Sequence, residues 1–498
     1  MKNLFTLIKV ALASALVCCF ATGANASEKA LPQMRITYTG ALNNSDYIPG
    51  TLLLTAVDGT EWNIPNALFR TRGATALNYS MKPSLNMKLR DELDEELDTE
   101  LLGLRKASSF ILDAMAIDRI NMRNRVAFDI WNSFSRLPYE TDFGSRNGTV
   151  GAFVEMYING EYKGIYCLTD KINRKLLDLK KPEVDDNGNV TIRGALYKHG
   201  TNDEGCDQNT PGFYNDYIDY TAKWHDAWEL HEPEDYASPE AWAPLTELYE
   251  NSNYSNYEYV KEHFWLENLA DYTIHVMALA IVDNWGNKNK YFSVQNMTKN
   301  GDKRRFVVTP WDLDTSLGGE YDGSKYDGNY TTWAVSDVAK NAPLPFGACL
   351  AQQEFKNLLR QRWIEGSLGA FAVDSVKQRL FDNCRLFIES GAWQRTIDYW
   401  NTQKYSEKYV DDLEKEVSLI AQWYENRFKK MDEYFGITDE ERAGFADVNI
   451  IVTDNDITRP RDIYNMQGVL IRRNASDDTI DNLPPGLYII AGQKTLIK

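Results

Sequence analysis

Two acidic clusters flanking one hairpin pattern constrain this chain more than any other feature. Asp283-Asn284-Trp285-Gly286-Asn287-Lys288-Asn289 leads into strand-like Lys290 to Val294 and a polar turn at Asn300-Gly301-Asp302. A second strand from Arg305 to Thr309 then runs into Pro310-Trp311-Asp312-Leu313-Asp314. A hairpin brings its two ends together, so this order places an acid, an amide and two more acids at one end of a small sheet. Asp312 and Asp314 alternate in an extended segment; their side chains share a face and can approach one cation.

The flanking segments are expected to be mainly helical. Phe264 to Val282 reads as a buried helix entering Asp283, and Gln352 to Ile364, Asp374 to Ile388 and Glu407 to Tyr434 read as further helices. In the last, Leu413, Val417, Ile420, Tyr424, Phe428 and Met431 form one apolar face, and Gly436 is placed to end it. Upstream the pattern is β. Met34 to Thr39, Gly50 to Val57, Ala67 to Arg72 and Leu85 to Leu89 are strand candidates, and Asn159-Gly160 supplies a type I′ turn between Val154–Ile158 and Tyr162–Thr169. One helix, from about Asp118 to Ser135, carries Met122, Val126, Ile130 and Phe134 at fourfold spacing. Residues 176 to 262, rich first in Asp, Asn and Gly and then in aromatics and acids, read as a region with insertions.

At 498 residues the chain is too long for one compact core. Its net charge of -18 repels a polyanion and excludes non-specific nucleic-acid binding. Lys2 and Lys9, the apolar run Val10 to Phe20 and Ala24-Asn25-Ala26 read as a signal peptide over 1–26. Neither Cys18 nor Cys19 follows the small residue a lipidated cysteine requires. No other run is long and apolar enough to span a bilayer, so the expected protein is exported to the periplasm, the cell surface or the medium. Cys167, Cys206, Cys349 and Cys384 match no zinc spacing, Cys167 lies in an apolar strand pattern, and an oxidising compartment permits a Cys349–Cys384 bridge. The expected organisation is a β-rich part over 27–175, a helical part over 176–436, a linker over 437–446 and a small β unit over 447–498. In that last unit Val448 to Val452, Asp462 to Tyr464, Val469 to Ile471 and Leu487 to Ile490 alternate.

The residues carry a family resemblance. The K-N-x-(Y/F) patch followed by P-W-D-x-D, the block Arg70-Thr71-Arg72-Gly73-Ala74-Thr75 with Met81-Lys82-Pro83 and Asn86-Met87-Lys88-Leu89, and the hairpin Val154 to Lys171 are similar, in order, to the spore coat protein H (CotH) kinase family. The tail, with Gly486-Leu487-Tyr488-Ile489-Ile490 and the closing Lys494-Thr495-Leu496-Ile497-Lys498, resembles the sorting domains of type IX secretion in Bacteroidetes. The resemblance implies an α+β, atypical two-lobed protein-kinase-like fold with a β-rich N-lobe crossed by one helix, a mainly helical C-lobe and a small C-terminal β-sandwich-like domain.

It also implies roles. Protein kinases place a catalytic Asp, a metal-binding Asn, a hairpin and a metal-binding Asp near a Gly in the order occupied here by Asp283, Asn289, Asp312 or Asp314, and Gly318. Asn287 competes with Asn289. Arg72 and Gly73 would approach phosphate oxygens, Lys88 or Lys82 would supply the phosphate-contacting ammonium, and Asp170 stands at the counterpart of the kinase hinge. Ala74 departs from the family's Asn and removes a polar contact. The implied reaction is transfer of phosphate from ATP, with Mg2+ or Mn2+, to Ser or Thr of a secreted protein. Two rival readings use the same residues: a catalytically weak kinase-like surface protein binding glycans or proteins through its aromatics, and a divalent-metal hydrolase, which lacks a supporting His cluster.

Overall fold

The computed structural model describes residues 30–73, 81–139, 145–199, 219–225, 228–281, 283–284, 289–295, 304–319, 335–336, 345–401, 409–451, 461–465, 470–475, 486–490 and 493–497. The expected signal peptide and the turn at 300–302 lie outside them.

Alternation in the first third of the chain builds a barrel. Strands β1 (Gln33–Tyr38), β2 (Ile48–Thr55), β3 (Glu61–Arg72), β4 (Ser84–Arg90), β5 (Ser109–Asp113), β6 (Gly151–Ile158) and β7 (Glu161–Asp170) close in the order β1-β2-β3-β4-β5-β7-β6. Their pairs are antiparallel except β1 with β6, which seals the ring. Successive side chains point to opposite faces, and Leu52, Phe69, Met87, Phe110, Leu112 and Leu168 fill the interior. Asn159 and Gly160, at φ of 51° and 84°, form the predicted tight turn. The closed ring replaces the expected sheet crossed by a helix. The strand that joins β4 to β7, β5, has no alternation to reveal it, because Phe110, Ile111 and Leu112 are all buried.

The helix Arg123–Phe134 lies outside the barrel, with Val126, Ile130 and Phe134 in the main core. It begins later than expected. Asp118 serves it from outside, accepting the N–H groups of Met122 and Arg123 at 2.7 Å each, and pairs with the Arg123 guanidinium at 2.5 Å.

Beyond the barrel lie a two-residue hairpin of β8 (Glu183–Val184) with β9 (Val190–Thr191), and a five-stranded antiparallel sheet. Its strands are β10 (Ala195–His199), β11 (Trp224–His225), β12 (Trp228–Glu232), β13 (Lys290–Val294) and β14 (Phe306–Pro310), ordered β11-β12-β10-β13-β14. Helices Leu266–Leu279, Gln353–Ser367, Val373–Glu389, Ala392–Trp400 and Leu413–Phe435 share the largest core with one face of this sheet. Trp228 and Trp242 are buried in that core. These two aromatics of the insertion are packing, whereas Trp224 and Tyr236 are exposed. Gly436, at φ 62°, ends the long helix as predicted.

The tail differs from expectation at its start. A helix spans Asp439–Ile451 where Val448 to Val452 predicts a strand. Its first turn holds Asp439, Glu440 and Glu441, which suit the positive end of a helix, and the Glu441 N–H donates to Thr438 Oγ1 at 3.2 Å. After it, β15 (Arg461–Asn465), β16 (Leu470–Ala475), β17 (Gly486–Ile490) and β18 (Gln493–Ile497) form one four-stranded sheet, β16-β15-β17-β18. Cys167, Cys349 and Cys384 are buried free thiols, so the Cys349–Cys384 bridge is not formed. No helix among the described residues is long and apolar enough to cross a membrane.

Candidate active site

The two acidic clusters meet, and the backbone dictates how. The helix Leu266–Leu279 ends with Ala280 in the left-handed conformation, and Leu317 N–H caps its last turn by donating to the Leu279 carbonyl at 2.9 Å. Trp311 N–H donates to the Asn289 carbonyl at 3.0 Å, and Asn284 Nδ2 donates to the carbonyls of Asn289, at 3.0 Å, and Trp311, at 2.5 Å. The Asp283 N–H donates to Thr315 Oγ1 at 3.3 Å. Asn289 and Asp312 both hold φ at 58°, a region in which short polar residues are favoured over branched ones. Asn289 Nδ2 donates to Asp283 Oδ2 at 2.8 Å, which leaves the amide oxygen of Asn289 facing elsewhere.

The carboxylates feel one another. Burial raises Asp312 to about 6, the nearby Asp283 and Asp113 add repulsion, and Arg72 and Lys198 oppose both. Asp314 is pushed well above the carboxylate range by burial and then by Asp312, Asp113, Asp118 and Asp283. Asp312 keeps exposed surface and stands beside Asp283, Asp113, Arg72 and Lys198. Asp113, at the end of β5, was not anticipated. Asn124 fixes it by donating to its Oδ2 at 2.7 Å while accepting the Leu313 N–H at 3.1 Å, tying the barrel to the Trp-Asp-Leu-Asp segment.

A group of cations stands beside Asp312. Across the β3–β4 ladder Arg72 faces Ser84, Arg70 faces Asn86 and Leu68 faces Lys88, so Arg70, Arg72 and Lys88 share the outer face, opposite Phe69 and Met87. Lys171 follows β7 and Lys198 lies on β10. Lys171 is driven down to about 8 by burial and by the charges of Lys88, Arg72 and Arg70 around it. The Arg72 guanidinium sits 4.9 Å and the Lys198 ammonium 5.9 Å from the centre of the Trp311 ring. Among the described residues, no hydrogen bond or ion pair occupies Arg72, Lys88, Lys171 or Lys198. Lys171 and Lys198 carried no motif; the only signal was a charge inside or just after an otherwise apolar strand pattern.

Other expected residues stand elsewhere. Lys82 is buried, donating to the Ile165 carbonyl at 2.6 Å and to Asn121 Oδ1 at 3.2 Å, under the rings of Tyr166 and Tyr409. It ties the segment before β4 to β7 and to the Asn121 turn. Asp170 pairs with Phe110 in the β5–β7 ladder, so its side chain leaves on the face opposite Lys88. There it accepts the Val150 N–H at 2.8 Å and is raised by burial against the pull of Arg146 and Arg105. Gly73 is exposed at φ 106°, a conformation glycine adopts without strain, and Ala74 and Asn287 lie outside the described residues.

The donor set is hard oxygen: three carboxylates and an amide, which suits magnesium or manganese. Among the described residues no three acid, thiol or imidazole groups are gathered closely enough to cage a metal alone. Magnesium does not require that, since it keeps water and substrate oxygens around one or two carboxylates. No curated protein matches the chain. The profile of the CotH kinase protein family matches residues 69–431, which include the barrel's cationic face and both acidic clusters. The chain belongs to the CotH kinase family.

Proposed function

We propose that this protein transfers the γ-phosphoryl group of ATP, bound with Mg2+ or Mn2+, to a Ser or Thr hydroxyl of a protein acceptor. The observation that carries this reading is the meeting of two groups of like charge at Asp312. Arg72 and Lys198, which make no hydrogen bond or ion pair among the described residues, lie near Asp312, with Lys171 and Lys88 near Arg72 and with Asp283 and Asp314 near Asp312. Each group repels itself, and a metal polyphosphate, which carries both anionic oxygens and a cation, neutralises both. Membership of a kinase family supports the same chemistry.

In this reading the barrel and the helical part act as the two lobes of a kinase-like fold. Asp283 orients the acceptor hydroxyl and takes its proton as the new oxygen–phosphorus bond forms. The bond from the γ-phosphorus to the β,γ-bridging oxygen breaks, and ADP leaves with that electron pair. Asn289 holds Asp283 by its 2.8 Å hydrogen bond, and its amide oxygen, with Asp312 and Asp314, would hold the metal. When bound, the metal would neutralise charge on the phosphates. Arg72 and Lys88 hold phosphate oxygens from the barrel side. Export, directed by the N-terminal signal and a C-terminal sorting unit, places the acceptor among secreted proteins.

The test incubates the mature protein with labelled ATP, Mn2+ and a Ser-rich acceptor. Wild type incorporates phosphate, and Asp283→Ala and Asp312→Ala each lose it by about 100-fold or more. Absence of incorporation by wild type, together with no ATP-dependent melting shift, overturns the proposal and favours a binding role.

A further inference from the structure

Resting on the nucleotide reading above, we propose that Lys198, delivered by β10 and not by the barrel, contacts the β- or γ-phosphate of the bound nucleotide, positioned by Glu229 and Trp311. The sheet register places it. Lys198 stands between Glu229 on β12 and Tyr291 on β13, and Trp224 on β11 stands beyond Glu229, so one row of side chains crosses the sheet on the face away from the Trp228 and Phe292 core. That face carries Trp311, whose ring lies beneath both Lys198 and Arg72. One indole therefore sets a cation from the sheet and a cation from the barrel beside Asp312.

A lysine placed only to balance Glu229 would be redundant here. Glu229 already pairs with Lys223 at 3.0 Å and with His231 at 3.3 Å. Burial opposes its charge, but His231, Lys198 and Lys223 together hold it well below the ordinary range. The Lys198 ammonium makes no hydrogen bond among the described residues, although it is half-buried and burial lowers its affinity for its proton. A long flexible side chain held in that position without an acceptor is one that an incoming anion completes. Glu229 restrains its swing, and Trp311 supports the stem.

Calorimetric titration of the mature chain with Mn2+ complexes of ATP and ADP, and with adenosine, tests this. Lys198→Met is expected to weaken ATP binding by about ten- to a hundredfold, as for one charge-assisted contact, and to leave adenosine binding unchanged. Lys198→Arg recovers a large part, and Glu229→Gln loses a smaller part. Ligand-free melting temperatures stay near wild type. Unchanged ATP affinity in folded Lys198→Met, or an equal loss for ATP and adenosine, overturns the assignment while leaving the kinase reading intact. Should Lys198→Met fail to fold, Lys198→Gln is read by the same criteria, and failure of both to fold marks Lys198 as structural and overturns it. Wild type that binds no nucleotide removes the kinase reading and this one together.

Discussion

Asp312 carries opposed demands in one side chain: burial and Asp283 push its carboxyl up to about 6, while Arg72 and Lys198 favour its charge. Its folded value lies above the ordinary 3.8, so between those pH values the folded chain holds a proton that the unfolded chain has released. The contribution of this site to stability therefore falls as pH rises through that window, and a bound cation reverses the loss. Melting of the protein with and without Mn2+ at pH 5, 6 and 7 should show a stabilisation that grows with pH. Asp312→Asn should raise metal-free stability at pH 7 and abolish the Mn2+ effect. A shift of equal size at all three pH values would contradict the role assigned to Asp312. At this scale the gathering of Asp283, Asn289, Asp312 and Asp314 was legible, because one hairpin joins the two segments that carry them. Asp113, Lys171 and Lys198 were not, because nothing local marks a charge whose partner arrives from another element.

The helix Leu266–Leu279 shows what one element can state by itself. Every residue from Asn268 to Leu279 is buried, so the segment reads as a core helix from its lack of a polar face. Its polar members must then be satisfied inside. His275 Nε2 donates to the Ala127 carbonyl of the helix Arg123–Phe134 at 3.0 Å, while burial lowers the imidazole from 6.5 to about 4. As pH falls through that interval the unfolded chain gains a proton that the folded chain refuses, so folding loses up to roughly 3 kcal/mol. Urea unfolding at pH 7 and pH 4.5 should expose this loss in wild type, and His275→Gln should lack this component of the slope. Equal slopes in the two proteins would show that His275 is not the source. The same element logic explains the tail. Asp439-Glu440-Glu441 was a helix-start signal competing with the alternation of Val448 to Val452, and the helix prevailed through Ile451.

For the molecule as a whole, the outer face of the barrel serves two neighbours. Where β3 and β4 turn Arg72 toward Trp311 and Lys88 toward Tyr47, β6 and β7 turn Glu155 and Lys163 to the helix Ala392–Trp400. Arg395 grips Glu155 with two hydrogen bonds of 2.8 and 2.9 Å, Trp400 Nε1 donates to the Lys163 carbonyl at 3.1 Å, and Gly164, at φ 86°, leaves a gap that a Cβ would close to 3.1 Å from Thr396. Arg395→Ala leaves the buried Glu155 carboxylate with the Tyr162 hydroxyl as its donor and without its charge partner, and should cost about 2 kcal/mol, less than a fully buried pair because the guanidinium is half exposed. Thermal unfolding measures it, and Arg395→Lys should recover part. A change within a few tenths of a kcal/mol would mean that other contacts hold the barrel in place.

Periodicity determined what is local: a β-rich first part with most of its strands, the long helices, the Asn159-Gly160 turn, and the hairpin that joins the two acidic clusters. These follow from whether a side chain points in or out along its own element, which the order of apolar and polar residues records. Closure of the ring by β1 and β6, the inclusion of β5 in it, the diversion of Lys82 and Asp170 into structural roles, and the assembly of Arg72 and Lys198 beside Asp312, with Lys171 beside Arg72, were decided by tertiary structure alone. Those outcomes depend on which elements become neighbours, and an electrostatic partner brought from a distant strand leaves no period in the chain that supplies it.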